Sequence, residues 1–385
     1  MWCPTSMSQL AEVERRLFAH LPDLLVRDTP VCGGAEHIHT VELVRATTMA
    51  TAPQQQQQQQ GKEKKPAPLV LVHGYGFGLG MWAHNLAPLA DRFGRVLALD
   101  WLGCGASSRP AFTARGVDAA EAFFVDSLEE WRAAQEPALP KMTLMGHSLG
   151  GYLAVAYTER YPQRVERLLL ASPVGVPRKP EEDAAALAAR PLKWRALIGT
   201  FRALWGWGAT PQSIVRALGP WGPRVARGYV DRRMRDNDAI DKELLGDYIY
   251  HVSAQSGSGE FALNEILEPG AWARRPLADR LGHLLVPTHY IYGARDWMDF
   301  GAAVAVCEGE GSQHGESVLR VADAGHMLTC DNPYGFNACV LKCVGLLATA
   351  TDRTVDVGSV IEAFPVPASG GSAGAQEAPP SRGVR

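Results

Sequence analysis

Apolar positions along this chain follow two spacings that take turns. Short apolar runs stand at His39–Val44, Pro68–Val72, Arg95–Leu99, Met142–Met145, Arg167–Ala171, Thr288–Tyr292 and Ser317–Val321. Several are continuous, the pattern of strands buried on both faces. Between them, apolar residues recur at helical spacing. Leu86–Phe93 follows one strand, and Asp118–Gln135 follows the next with Phe123, Phe124, Leu128 and Trp131 on one face; Gly151–Tyr161 follows the fourth. This alternation predicts a mostly parallel central sheet flanked by helices, an α/β architecture.

The alternation stops between about 176 and 283, where the pattern is helical with no convincing strand. Such an insertion belongs over the carboxyl ends of the strands, where doubly wound sheets take their ligands. The resulting division is an N-terminal extension with the first strand or strands (1–52), a low-complexity loop (53–66), a first core segment (67–175), a helical cap (176–283), a second core segment (284–349) and a disordered tail (350–385). The loop is a glutamine tract that cannot bury apolar surface, and the tail is rich in Gly, Ser and Pro.

Composition narrows the function classes. A hydrophobic share of 46% is enough for a sizeable core, and a net charge of −3 gives no global pull toward nucleic acid. Seven scattered cysteines without a CxxC pair suit a reduced cytoplasmic protein and offer no zinc site. The N-terminus has no apolar signal segment, and no run is long enough to span a bilayer. Attachment to a membrane surface stays open.

The sharpest local signal is Gly146-His147-Ser148-Leu149-Gly150, a GXSXG motif between an apolar strand and a helix. In that setting the serine rides a strained turn that lifts its hydroxyl to the positive end of the helix, and the flanking glycines remove clashing β-carbons. A nucleophilic serine needs a base and a carboxylate to orient it, in the chain order Ser, acid, His. His326, in the Gly-His turn after Ser317–Val321, is the expected base. Asp296, after Thr288–Tyr292, is the expected acid, with Asp299 its main rival and Asp323 a weaker one. His147 is expected to line the site; His37, His39, His251, His283, His289 and His314 read as ordinary surface or core residues. For the oxyanion hole the expected donors are the backbone N–H groups of Leu149 and of Tyr75, with Gly76 the alternative to Tyr75. The absence of Gly-Lys-Ser/Thr after His73–Gly78 argues against a phosphate loop there.

The insertion is locally basic: from Pro191 to Asp236 there are nine Lys and Arg against two Asp. Trp194, Leu197, Ile198, Phe201, Leu204 and Trp205 share one helical face, beside Arg202. Tryptophans with flanking arginines suit an anionic bilayer or a lipid droplet, so Trp194, Phe201, Trp205 and Arg202 are candidate lipid-surface residues. An ordinary cap helix packed on the core is the competing reading, and a lining for an acyl-chain pocket lies between the two.

Taken together the motifs resemble one branch of the α/β-hydrolases, the lipid-droplet-associated CGI-58 proteins of animals and their plant counterparts. Trp2–Ser6 with Ala11–Leu17 resembles the plant N-terminus, and Leu71–Gly76, Leu99–Pro110, Phe124–Trp131, Gly146–Tyr152, Ile291–Met298 and Gly325–Pro333 are similar to the branch's core motifs. The resemblance runs from residue 2 to about 348, outside the glutamine tract. It implies the α/β-hydrolase fold and glycerolipid chemistry: triacylglycerol lipase or phospholipase action, with acyl-CoA-dependent acylation of lysophosphatidic acid as a further activity. It implies no bound cofactor, acyl-CoA being a candidate co-substrate, and no metal. His326 and Asp331 form the HXXXXD pattern that the family links to acyltransfer, although His326 is already the expected base and Asp331 beside Asn332-Pro333 also reads as a helix cap. The animal CGI-58 protein has asparagine where Ser148 stands and serves as a lipase co-activator. Retention of the serine therefore favours an enzyme here, with a scaffold or co-activator of a partner lipase as the alternative. The expected location is cytoplasmic and peripheral to membranes or lipid droplets.

Overall fold

Continuous apolar runs pair into the middle of a sheet because neither of their faces needs water. The computed structural model describes residues 5–46, 66–181, 191–234, 240–309, 316–347 and 355–364. Its strands are β1 (Leu25–Val31), β2 (Glu36–Val44), β3 (Leu69–Val72), β4 (Arg95–Leu99), β5 (Met142–His147), β6 (Val165–Ala171), β7 (Leu267–Glu268), β8 (Trp272–Ala273), β9 (Thr288–Gly293), β10 (Ser317–Val321) and β11 (Val360–Phe364). Nine form one sheet in the order β1-β2-β4-β3-β5-β6-β9-β10-β11, and β7 pairs with β8 separately. From β4 to β10 neighbours run parallel; β1, β2 and β11 are antiparallel.

The helices are α1 (Met7–Leu17), α2 (Leu86–Phe93), α3 (Gly116–Ala133), α4 (Leu149–Arg160), α5 (Leu192–Gly206), α6 (Pro211–Ala217), α7 (Gly222–Arg233), α8 (Lys242–Ala254), α9 (Ala262–Ile266), α10 (Phe300–Glu308), α11 (Leu328–Asp331) and α12 (Pro333–Cys343). Two apolar clusters, one on each sheet face, hold Trp131, Tyr152 and Tyr290 on one side and Trp82, Phe336 and Leu341 on the other. From β3 the chain crosses outward to β4, then returns past β3 to β5. The loops after β3 and β5 therefore diverge and leave a crevice at the strand ends. Helices α5 to α9 lie in the segment expected to form the cap.

All seven expected strands are present, with bounds shifted by a few residues at most. Four further strands, β1, β7, β8 and β11, were not among those expected. β1 reads Leu-Val-Arg-Asp-Thr-Pro-Val, with a proline and mostly exposed positions, which an edge strand tolerates. β11 corrects the expectation of disorder from 350 onward, because Val360–Phe364 pairs with the otherwise open edge of β10. The β7–β8 hairpin, two residues per strand, interrupts the helical insertion. The glutamine tract, residues 365–385, Trp2 and Cys3 lie outside the described residues. The cysteines among the described residues are free, and no helix there is long and apolar enough to cross a membrane.

Arg280 fastens the end of the cap segment to the core. It pairs with buried Glu121 of α3 at 2.7 Å and with Glu159 of α4, and lies 5.2 Å over the Tyr152 ring. Removing one partner of a buried pair strands the other charge in a poorly solvated place. Arg280→Met is expected to lower unfolding stability by about 3 kcal/mol, read as a shifted urea midpoint; an unchanged midpoint would contradict the assignment.

Candidate active site

The β5–α4 turn carries Ser148 at φ 53°, ψ −117°, left-handed for a residue with a side chain. The flanking glycines are there for steric reasons: a β-carbon on Gly146 would strike the Gly150 carbonyl, and one on Gly150 would strike the His73 carbonyl. The turn faces the loop after β3, where a β-carbon on Gly74 would lie 2.9 Å from Ser148 Cβ. Neither Tyr75 nor Leu149 has an acceptor for its N–H among the described residues. Both line a cavity that runs past Gly76 and Gly150 toward Gln212 of the cap. The cavity volume is about 30 Å³, room for about one water.

Three side chains distant in sequence converge beside the turn. Ser148 Oγ lies 3.1 Å from His326 Nε2, and His326 Nδ1 lies 3.2 and 3.4 Å from the two Asp296 oxygens. With the proton on Nδ1 donated to Asp296, Nε2 is left to accept from the serine. Burial opposes ionisation of Asp296, but bonds from His326, from the Ser172 hydroxyl and from Met298 N–H outweigh it and hold the carboxyl below its usual range. Such a set can take a hydroxyl proton at Nε2 while the carboxylate steadies the imidazolium that forms.

The rival acids do other work. Asp299 caps α10 by accepting from Gly301 N–H at 2.9 Å, and Asp323 is exposed beside Arg295. Asp331, instead of capping the helix that follows, accepts from Gly325 N–H at 2.8 Å and braces the histidine loop; Asn332 caps α12. His147 lines the site as expected and also donates from Nε2 to the His326 carbonyl at 2.8 Å. Burial drives its pKa down to about 3, so it works as a neutral ring.

Ser172, His73 and Asp100 were not anticipated. Ser172 follows β6, next to β9, and only that adjacency brings its hydroxyl to Asp296. His73 donates to Gly74 O and accepts from Trp101 N–H, setting the loop opposite the serine. Burial lowers its pKa to about 4. Asp100, its pKa raised by burial to about 7, accepts from Leu79 and Ala106 N–H and shapes the floor of that loop. His39, His251 and His289 make contacts elsewhere, with Glu14, Thr5 and Ser317 respectively, and His314 lies outside the described residues.

Of the candidate lipid-surface residues, Trp194 and Arg202 are exposed, whereas Trp205 is half-buried against the core. Among the described side chains of α5, Trp205 at its C-terminal end packs against the core. The Phe201 side chain lies outside the described residues.

Residues 67–333 match the family described as the alpha/beta hydrolase fold. A 1-acylglycerol-3-phosphate O-acyltransferase of Arabidopsis thaliana is 39% identical over 270 residues, covering 67% of this chain and 61% of the relative, which is under two thirds of its length. A (lyso)-N-acylphosphatidylethanolamine lipase of Homo sapiens is 35% identical over 344 residues, covering 87% of this chain and 91% of the relative. The 1-acylglycerol-3-phosphate O-acyltransferase ABHD5 of Rattus norvegicus is 35% identical over 262 residues, covering 67% and 71%. Among solved structures, carboxylesterase CesB of Bacillus subtilis shares the fold with a TM-score of 0.59 at 19% identity, covering 88% of this chain and 98% of its own.

The two buried rings give a pH test. Both folded values lie below the ordinary histidine value of ~6.5, so on acidification the unfolded chain binds protons first. Their contribution to stability is full above that value and is lost as pH falls toward about 4 for His73 and about 3 for His147. Imidazole nitrogen shifts of His73 and His147 should stay at neutral-ring values through ~6.5. Titration of either ring there would show that it is not held neutral.

Proposed function

The chain belongs to the alpha/beta hydrolase fold family, and from that premise we propose that it is a serine hydrolase of glycerolipids, with Ser148 as nucleophile, His326 as base and Asp296 as the orienting carboxylate. The unbroken contact line from Ser148 Oγ through the His326 ring to Asp296 carries this reading. The serine oxygen attacks the ester carbonyl carbon while His326 takes its proton. The carbonyl electron pair moves to oxygen, where Leu149 and Tyr75 N–H donate. The tetrahedral adduct collapses, the glycerol oxygen leaves with the proton from His326, and an acyl ester remains on Ser148. Water then attacks that ester, giving its proton to His326, and Ser148 and a fatty acid are released.

The substrate class is supported by the relatives, a 1-acylglycerol-3-phosphate O-acyltransferase and a (lyso)-N-acylphosphatidylethanolamine lipase. When the hydroxyl of lysophosphatidic acid replaces water, the same acyl-enzyme becomes an acyltransferase, with acyl-CoA a donor whose thiol departs in the first half-reaction. Exclusion of water by the cap decides between the two outcomes. The substrates are lipid aggregates, so the protein works at the surface of a membrane or droplet. The contact line weighs against the alternative of a co-activator without chemistry of its own.

The test is a glycerolipid panel, with and without acyl-CoA, alongside labelling by a fluorophosphonate. Ser148→Ala should abolish labelling and lower turnover by about 10⁴-fold or more. Asp296→Asn should lower kcat by roughly 10⁴-fold, while Asp299→Asn stays near wild type. Labelling that survives in Ser148→Ala would end the nucleophile assignment, and a larger loss in Asp299→Asn than in Asp296→Asn would reassign the acid.

A further inference from the structure

Scattered exposed apolar residues are ordinary on a protein surface, whereas the cap concentrates large ones within residues 192–221. Leu192, Trp207 and Trp221 are 77%, 83% and 60% exposed, with Trp194, Leu204 and Ile214 also exposed. Residues 192–196 at the start of α5 are exposed without exception, and of the tryptophans on this helix Trp205 alone packs against the core. A helix of this length gains most of its stability by packing an apolar face, and one apolar around much of its circumference is normally covered.

The charge around these residues says what covers them. Residues 191–234 carry eight Lys and Arg and one acid, Asp231. Arg216 is engaged by Glu260 and Arg227 by Asp247. Lys193, Arg195 and Arg224 form no ion pair among the described residues, and Arg224 lies 4.9 Å over the Trp221 ring. Arginine and tryptophan are enriched in protein–protein interface cores too, but lysine is depleted there. Tryptophans mixed with unpaired cations that include a lysine match the headgroup boundary of a negatively charged membrane, where rings enter the interface and cations meet phosphates.

The geometry points to α5, α6 and the start of α7 as a docking face for an anionic phospholipid bilayer. This deepens the function proposed above by naming the surface of attachment, and it rests on that reading for its purpose, though not for its test. Trp205 and Gln212 join the face to the core and to the cavity beside the nucleophile turn.

The full chain is to be tested for co-sedimentation with phosphatidylcholine vesicles with and without phosphatidylserine, alongside turnover of a dissolved short-chain ester. Wild type is expected to bind the phosphatidylserine vesicles at least tenfold more tightly than the neutral ones, and more weakly as salt rises. Near an anionic surface each cation contributes about a fivefold factor. Lys193→Glu/Arg195→Glu should therefore lose roughly tenfold or more in affinity, and Trp207→Ala/Trp221→Ala should lose a comparable amount; both should keep wild-type turnover of the dissolved ester. Equal binding to both vesicle types, or wild-type binding by both variants, overturns the proposal. So does a dimer that Trp207→Ala/Trp221→Ala dissociates, since a second copy would then be the cover. Vesicle binding without ester turnover in wild type would sink the hydrolase reading and leave the docking face standing.

Discussion

Ser148 holds a backbone conformation that costs a residue with a side chain about 1–3 kcal/mol, and the surrounding structure leaves it no alternative. Its N–H is tied to Ala171 O at 2.9 Å, and its carbonyl accepts from Gly151, Tyr152 and Val174 N–H. Gly146 and Gly150 allow the two arms of the turn and the β3 loop to approach within distances that any β-carbon would prevent. The hydroxyl is therefore presented beside the first free N–H groups of α4, and every other feature of the site is arranged around that fixed point.

The second half of the site is built to meet it. The His326 loop is held by two polar contacts that flank its ring: His147 bonds the His326 carbonyl, and Asp331 bonds the N–H of the preceding Gly325. Asp296 is steadied by Ser172 and by Met298 N–H. These braces come from β5, β6 and the loops after β9 and β10, whose carboxyl ends are neighbours in the sheet. Opposing demands on charge are met by burial: His147 and His73 are kept neutral next to the base and the loop, while Asp296 is kept ionised by its donors. Within the HXXXXD pattern, Asp331 acts on the loop's backbone and not on the His326 ring.

The cap adds a constraint of another kind. Its inner side contributes Gln212, Val252 and Glu260 to the cavity beside Leu149, and its outer side leaves tryptophans and leucines in solvent. The same segment therefore borders the serine turn on one side and presents large apolar residues on the other.

The sequence by itself determined the central strands, the strained serine turn and His326 as the residue that meets Ser148. Those depend on local rules: apolar runs for strands buried on both faces, glycines around a strained serine, and a fixed chain order of catalytic groups. It could not supply β1 and β11, whose mixed and partly exposed residues become strands only because an unpaired sheet edge needs a partner. Nor could it choose between Asp296 and Asp299, three residues apart, since only the path of the chain after β9 turns one toward His326 and the other onto α10. Ser172 and His73 acquire their roles from strand adjacency, and Trp194 and Trp205, on one stripe of one helix, part company because Trp205 packs against the core while Trp194 is exposed. Chain-local patterns set which residues have the right chemistry; the order of strands and the docking of the cap decide which of them touch.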